Sequence, residues 1–292
     1  MDKVELLKKV RKIELKTRGL SSQVFSGEYH SAFKGRGMAF SEVREYQPGD
    51  EVRTIDWNVT ARLNHPYVKK FEEERELTVM VLVDVSRSGD FGTHAQLKQE
   101  LVTEISAVLA FSAIMNNDKA GVLFFSDIVE KFIPPKKGKP HILRIIKESL
   151  EHRPTGKGTN IAAALEYISN AIKNRCIVFV ISDFMSGEFE EAMRIANRRH
   201  DVVGLHVYDR RELELPDIGM VQLFDNETGS TLWVNTSDPN VRLNYARESR
   251  AHRIALDEMF KRTGIDSAHF ATGDKYIKIL STLFRKREKR RR

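Results

Sequence analysis

Cysteine is nearly absent from this chain: among 292 residues Cys176 stands alone. No internal disulfide can staple the fold, which must be held by its own core. The thiol lies in the run Cys176-Ile177-Val178-Phe179-Val180-Ile181, where it serves as a small buried hydrophobe, and a catalytic cysteine is not expected. Long apolar runs are missing too. The most lipid-like stretch, residues 101–115, carries Glu104 and two serines and is too short to cross ~30 Å of hydrocarbon, so no transmembrane helix is expected. The first residues, Met1-Asp2-Lys3-Val4-Glu5, lack the basic start and apolar middle of a secretory signal, which makes the cytoplasm the expected location. No Gly-x-Ser-x-Gly elbow and no His-Glu-x-x-His helix occurs, which removes two common hydrolase designs. An enzyme is not expected.

Charge of one sign is also scarce over most of the length. The net charge is +7, yet residues 285–292 hold seven basic residues and Glu288, which leaves about +1 for residues 1–284. The excess therefore describes a flexible basic tail at 285–292 and not a basic face, so nucleic acid is not the expected partner of the folded body. With 41% hydrophobic and 30% charged residues, the chain suits one sizeable α/β domain with a small appendage.

Periodicity divides what is present. Over residues 1–19, Val4, Leu7, Val10 and Ile13 recur at three-residue spacing among lysines and arginines, and Gly19 can end the run. This predicts an N-terminal amphipathic helix docked on the body by its apolar stripe. Residues 20–75 are broken by Ser26-Gly27, Gly35-Arg36-Gly37 and Gln47-Pro48-Gly49-Asp50, the punctuation of a small β-rich module. Its Glu42, Arg44, Asp50, Arg53, Asp56 and Arg62 are expected to form salt bridges and turn caps where the core is too small to suffice. From 76 to 284 strand and helix patterns alternate. Residues 77–83 are too uniformly apolar or β-branched for a half-exposed strand and suit the centre of a parallel sheet. Strands follow at 121–126, 176–182, 202–207 and 268–271, and helices at 95–115, 141–151, 161–173, 188–199, 241–262 and 275–284. A hairpin is expected over 220–236, turning at Asn226-Glu227-Thr228-Gly229. The predicted class is α/β: a doubly wound, mainly parallel sheet with an inserted hairpin.

Open α/β sheets bind ligands beyond the carboxyl ends of their strands, so the residues just after each apolar run matter most. Three loops there are rich in small oxygen-bearing side chains: Asp84-Val85-Ser86-Arg87-Ser88, Thr155-Gly156-Lys157-Gly158-Thr159-Asn160 and Ser182-Asp183. Singly, each reads as a helix cap or turn. Through Asp84, Ser86, Ser88, Thr159 and Asp183 they together offer two carboxylates and three hydroxyls, the hard-oxygen set that Mg2+ takes, with Mn2+ or Ca2+ as alternatives. No histidine or cysteine lies within these loops, which argues against zinc. Asp127, after the strand at 121–126, is a candidate to orient a metal-bound water, with a turn cap as the equal alternative.

The string Asp84-x-Ser86-x-Ser88, then Thr159 at a helix start, then Asp183 at a strand end, resembles the metal-ion-dependent adhesion site of von Willebrand factor type A domains. Upstream, Gly35-Arg36-Gly37, Phe40, Glu42, Arg44, Tyr46, Pro48-Gly49-Asp50, Arg53, Ile55-Asp56-Trp57 and Ala61-Arg62 resemble the signature of the bacterial domain of unknown function 58 family, whose members carry that module ahead of a type A-like domain. The resemblance implies a type A-like, Rossmann-like fold and a metal-assisted protein-binding module, with Asp84, Ser86, Ser88, Thr159 and Asp183 as ligands. It implies a partner protein that completes the metal with an Asp or Glu, and a MoxR-type AAA+ ATPase as that partner. Many relatives have N-terminal membrane helices; this chain departs from them there. Gly89-Asp90 places an extra carboxylate near the first loop, another departure from many type A domains.

Two other classes compete. The basic tail at 285–292 could bind nucleic acid or an anionic surface in a salt-dependent way. A phosphohydrolase could present Asp84 as its nucleophile, but Ser86 stands where the acid/base carboxylate would be needed.

Overall fold

The computed structural model describes residues 8, 10–16, 32–33, 38–73, 76–86, 98–156, 158–224 and 231–291. The chain divides into two compact units, Lys34–Glu76 and the remainder, Met1–Phe33 with Leu77–Arg292.

In the smaller unit, strand β1 (Met38–Glu45) pairs antiparallel with β2 (Tyr67–Glu73), with a register break between Phe40 and Glu42. Between them lies the short helix α1 (Trp57–Leu63), whose first amides donate to the Asp56 carboxylate. Arg44 grips Asp50 with both guanidinium nitrogens at 2.9 and 2.7 Å, and that fork holds the Asp50 carboxyl below its ordinary range. Charged pairs and caps thus do supply order in this module. Its boundary differs from the expected 20–75. Ala32 and Phe33 are buried in the core of the larger unit, and residues 20–31 lie outside the described residues.

The larger unit is built on strands β3 (Thr78–Asp84), β4 (Lys119–Phe125), β5 (Val129–Lys136), β6 (Ile177–Ser182), β7 (Asp201–Tyr208) and β10 (Asp266–Ala271). Their spatial order is β10-β7-β6-β3-β4-β5. All neighbours are parallel except the β4–β5 hairpin. The doubly wound sheet expected from the sequence is the architecture found. Strand β5 is a feature the sequence reading omits. Its Pro134-Pro135 pair suppresses a strand assignment, yet β5 is an edge strand, where prolines cost the ladder little.

Alternation along each strand sorts side chains into two layers. Val79, Val81, Val83, Ile177, Phe179, Ile181, Val203 and Leu205 point into one apolar cluster, covered by helices α2 (Lys98–Met115), α3 (Lys139–Glu151) and α7 (Tyr276–Arg291). Met80, Leu82, Val178 and Val180 point the other way, under α4 (Ile161–Ala171), α5 (Glu190–Arg199) and the long α6 (Pro239–Thr263). Gly204 lets α6 lie close, since a Cβ there would come within 2.5 Å of the Phe260 ring. The hairpin β8 (Met220–Phe224) and β9 (Thr231–Asn235) forms a separate antiparallel pair; its expected turn residues lie outside the described residues. Residues 10–16 are helical, with Val10 and Ile13 packed in the first cluster. Among the described residues no helix is long and apolar enough to cross a membrane.

The expected flexible tail at 285–292 requires correction, because α7 continues through Arg291. Arg287 is buried, with its guanidinium on Asp201 at 2.5 and 2.7 Å and on Asp266 at 2.8 Å, and it stacks over Phe33 at 4.6 Å. Arg290 reaches Asp266 at 2.6 Å. Both acids open parallel strands, and this pairing ties the last helix across the amino edge of the sheet.

Candidate metal centre at the carboxyl edge of the sheet

Asp84 ends the central strand β3 and is held from two sides. Its Oδ1 accepts the Ser86 amide at 3.0 Å, an Asx turn that folds the first loop back. Its Oδ2 accepts the Ser182 hydroxyl at 2.5 Å, across from the end of β6. Ser182 Oγ in turn accepts the Phe184 amide at 2.9 Å. Asp183 Oδ1 accepts the Met185 amide at 3.1 Å, so the third loop also closes in an Asx turn.

Phe184 drives that reversal. It is fully buried with φ at 56°, a left-handed conformation that costs a non-glycine residue about 1 kcal/mol or more. Its ring packs edge-on against Phe260 at 5.2 Å, so core packing outweighs the strain and fixes the direction of Asp183. The second loop is pinned independently. Glu130 accepts the Thr155 amide, the Thr155 hydroxyl, the Gly156 amide and the Ser126 hydroxyl at 2.7 to 2.9 Å. Asn160 donates its amide to the Ser126 carbonyl at 2.8 Å and caps α4. The Thr159 carbonyl accepts the Ser186 hydroxyl at 2.8 Å, which stitches the second loop to the third.

Of the expected ligands, Asp84, Ser86 and Asp183 therefore meet at the ends of β3 and β6, and Thr159 stands in the loop bonded to the Asp183 segment. Ser88 lies outside the described residues, as do Gly89 and Asp90. Asp127 takes the Ser126 hydroxyl at 3.2 Å and lies against Gly156, where a Cβ would come within 1.8 Å of its Oδ1.

Two residues of the site, Lys98 and Glu212, escape the sequence reading, and Ser182, named there only as part of its loop, acts by holding Asp84. Lys98 opens α2 and is buried, with Nζ 3.3 Å from Asp183 Oδ2 and 2.6 Å from Glu212 Oε1. Glu212 ends a short 3-10 turn after β7, where its second oxygen accepts the Asp209 amide at 2.9 Å in a capping box. A lysine at a helix start gives no sequence signal of burial, and no local pattern pairs it with acids 85 and 114 residues away.

Electrostatically the cleft is short of positive charge. Burial, reinforced by the nearby Asp183, pushes the Asp84 carboxyl up to about 6 against the pull of the Ser182 and Ser86 hydrogen bonds. Burial alone would lower the Lys98 ammonium, but Asp183 and Glu212 together hold it above its usual range. Burial also raises Glu212 against the attraction of Lys98. Among the described side chains at the ends of β3 and β6, Asp84, Asp183 and Glu212 when ionised carry two more charges than Lys98. A gap of about 20 Å³ is lined by Asp84, Lys98, Ser182 and Asp183, room for about one water-sized body. Among the described residues no three His, Cys, Asp or Glu side chains group as a metal site by themselves, so a dication here must also take serine and threonine oxygens. Hard oxygens, a two-charge deficit and a stand-in ammonium already on Asp183 fit a small divalent cation.

Oxygen-bearing loops come together beyond the carboxyl ends of a doubly wound sheet, the place where open α/β sheets in general bind ligands. The chain belongs to the family described as "Protein of unknown function DUF58", which matches residues 42–255. The uncharacterized protein Rv1480 of Mycobacterium tuberculosis is 33% identical over 268 residues, 90% of this chain and 84% of that protein. The uncharacterized protein YeaD of Bacillus subtilis is 27% identical over 107 residues, 37% of this chain and 25% of that protein. Among solved structures, BatB from Bacteroides thetaiotaomicron aligns over 73% of this chain and 99% of that chain at 17% identity and a TM-score of 0.47. The SpRpn10 VWA domain aligns over 72% and 95% at 10% identity and a TM-score of 0.42.

Proposed function

We propose that this DUF58 member is a non-enzymatic protein-binding adaptor that holds a divalent cation, Mg2+ first, through Asp84, Ser86, Ser88, Thr159 and Asp183. One observation carries the reading: Asp84 and Asp183 line one small gap at the sheet edge, where hydrogen bonds from Ser182 and the Ser86 and Met185 amides fix their oxygens. A cation bound there supplies a point of positive charge to which an Asp or Glu of a partner protein attaches. The chain's own part is positioning. Ser182 and the Ser86 amide orient the two oxygens of Asp84, the Met185 amide and Lys98 orient Asp183, and Glu130 keeps the Thr159 loop in register with them.

A protein partner accords with the type A-like architecture, and the family resemblance points to a MoxR-type AAA+ ATPase. The rival readings gain nothing from the geometry. Arg287 and Arg290 spend their charge on Asp201 and Asp266, which takes two cations away from any nucleic-acid or lipid contact. Ser86 leaves a phosphohydrolase without its acid two positions past Asp84.

The test has two arms. Titration calorimetry with Mg2+ on wild type and on Asp84→Ala should show binding that the substitution removes; equal affinity in both would reject the site. Purified MoxR-type ATPase should then be retained by the immobilised chain in Mg2+ and released by chelator, and retention indifferent to chelator would reject a metal-mediated contact.

A further inference from the structure

Burying an ammonium is strongly unfavourable unless acids surround it. The Lys98 side chain is 4% exposed, so its partners define what it can do. They are unequal. Glu212 is locked: one oxygen caps the Asp209 amide, its own carbonyl accepts the Ser249 hydroxyl at 2.9 Å, and the other oxygen holds Lys98 Nζ at 2.6 Å. Asp183 stands farther from the same nitrogen, at 3.3 Å. The ammonium can therefore let go of Asp183 without losing all charge compensation, because the tighter acid stays.

We propose that Lys98, seated on Glu212, is an internal cation that competes with the divalent ion for Asp183 and so sets the affinity of the metal centre. This rests on the metal reading above and extends it. Without a dication, Lys98 partly offsets the charge of Asp183 and eases its repulsion of Asp84. With a dication, the ammonium rests on Glu212 alone. A site built this way is less destabilising when empty than two bare carboxylates would be, and binds its ion more weakly than its oxygens alone would allow.

The probe is Mn2+, followed by the electron paramagnetic resonance signal of the free ion, with circular dichroism as a check on folding. The double variant Lys98→Met/Glu212→Gln removes one charge of each sign, leaving the long-range field unchanged while abolishing the competition. It should bind Mn2+ at least tenfold more tightly than wild type. Glu212→Gln alone keeps an oxygen for the Asp209 amide but throws the ammonium wholly onto Asp183, and should bind at least tenfold more weakly. That loss should persist at high salt, which screens a distant field but not a direct contact. Binding within threefold of wild type in both variants, or a weaker double variant, overturns the proposal alone. No Mn2+ binding in wild type or either variant overturns the metal reading and this proposal with it. A silent wild type beside a binding double variant supports the proposal in its strongest form. Should the double variant fail to fold, Glu212→Gln decides: a loss below threefold, or one that vanishes in high salt, overturns it.

Discussion

Asp84→Asn should stabilise this protein at neutral pH in the absence of metal. The carboxyl titrates near 6 in the folded state against an ordinary value of 3.8, so its ionised form destabilises the native state by about 3 kcal/mol. The direction follows from linkage. A raised acid binds its proton more tightly when folded, so its contribution is neutral below about pH 4, unfavourable by a growing amount between about 4 and 6, and constant above about 7. Asparagine keeps an oxygen for the Ser86 amide and offers an N–H to Ser182 Oγ, so the hydrogen bonds of the turn survive. In urea denaturation with chelator at pH 7.5, Asp84→Asn should exceed wild type by up to about 3 kcal/mol, with the gap closing towards pH 4.5. Far-UV circular dichroism is the suitable signal, because Trp57 and Trp233 are 66% and 62% exposed and report poorly on the core. Added Mg2+ should stabilise wild type and leave the variant unmoved. A variant less stable than wild type at pH 7.5, or a gap independent of pH, would refute the claim that function is placed here at the expense of stability.

Three further outcomes are expected. Arg287→Met should lower stability by about 3 kcal/mol, since it takes a buried guanidinium from Asp201 and Asp266 and leaves Asp266 with Arg290; a loss under about 0.5 kcal/mol in the same urea assay would restore the picture of a loose tail. Gly156→Ala drives a methyl into Asp127 and Ser126, at 1.8 and 2.2 Å, and should displace the second loop and weaken Mn2+ binding; an unchanged affinity would detach that loop from the metal. Cys176, whose thiol burial pushes up to about 12, should resist Ellman's reagent in the native state and react only on unfolding, despite His200 Nδ1 at 3.3 Å.

The backbone plan was readable because it follows from short-range pattern. The β3 run alternates Val79, Val81 and Val83 against Met80 and Leu82, all apolar, which only a sheet covered on both faces accommodates. The convergence of the candidate loops was readable for a related reason: strand ends are recognisable, and Asp or Ser immediately beyond them are conspicuous. What escaped detection depends on distance along the chain. Arg287 looks like part of a basic run until Asp201 and Asp266 come within reach of it. Lys98 looks like a solvated helix start until Asp183 and Glu212 close over it. The β5 strand hides behind two prolines that only its edge position makes tolerable.

The long helix α6 has a mechanical consequence. Its 25 residues bury only Leu256, Met259 and Phe260, all near one end. The remainder runs back towards the hairpin that carries Trp233, and the whole spans roughly 37 Å. Such a beam has its apolar anchor at one end and polar ties along the rest, the Ser249 hydroxyl on the Glu212 carbonyl and Arg242 on the Thr236 carbonyl and Asp217. A pivot of about ten degrees over Gly204 would sweep the opposite end through roughly 6 Å, and those ties are what resist it.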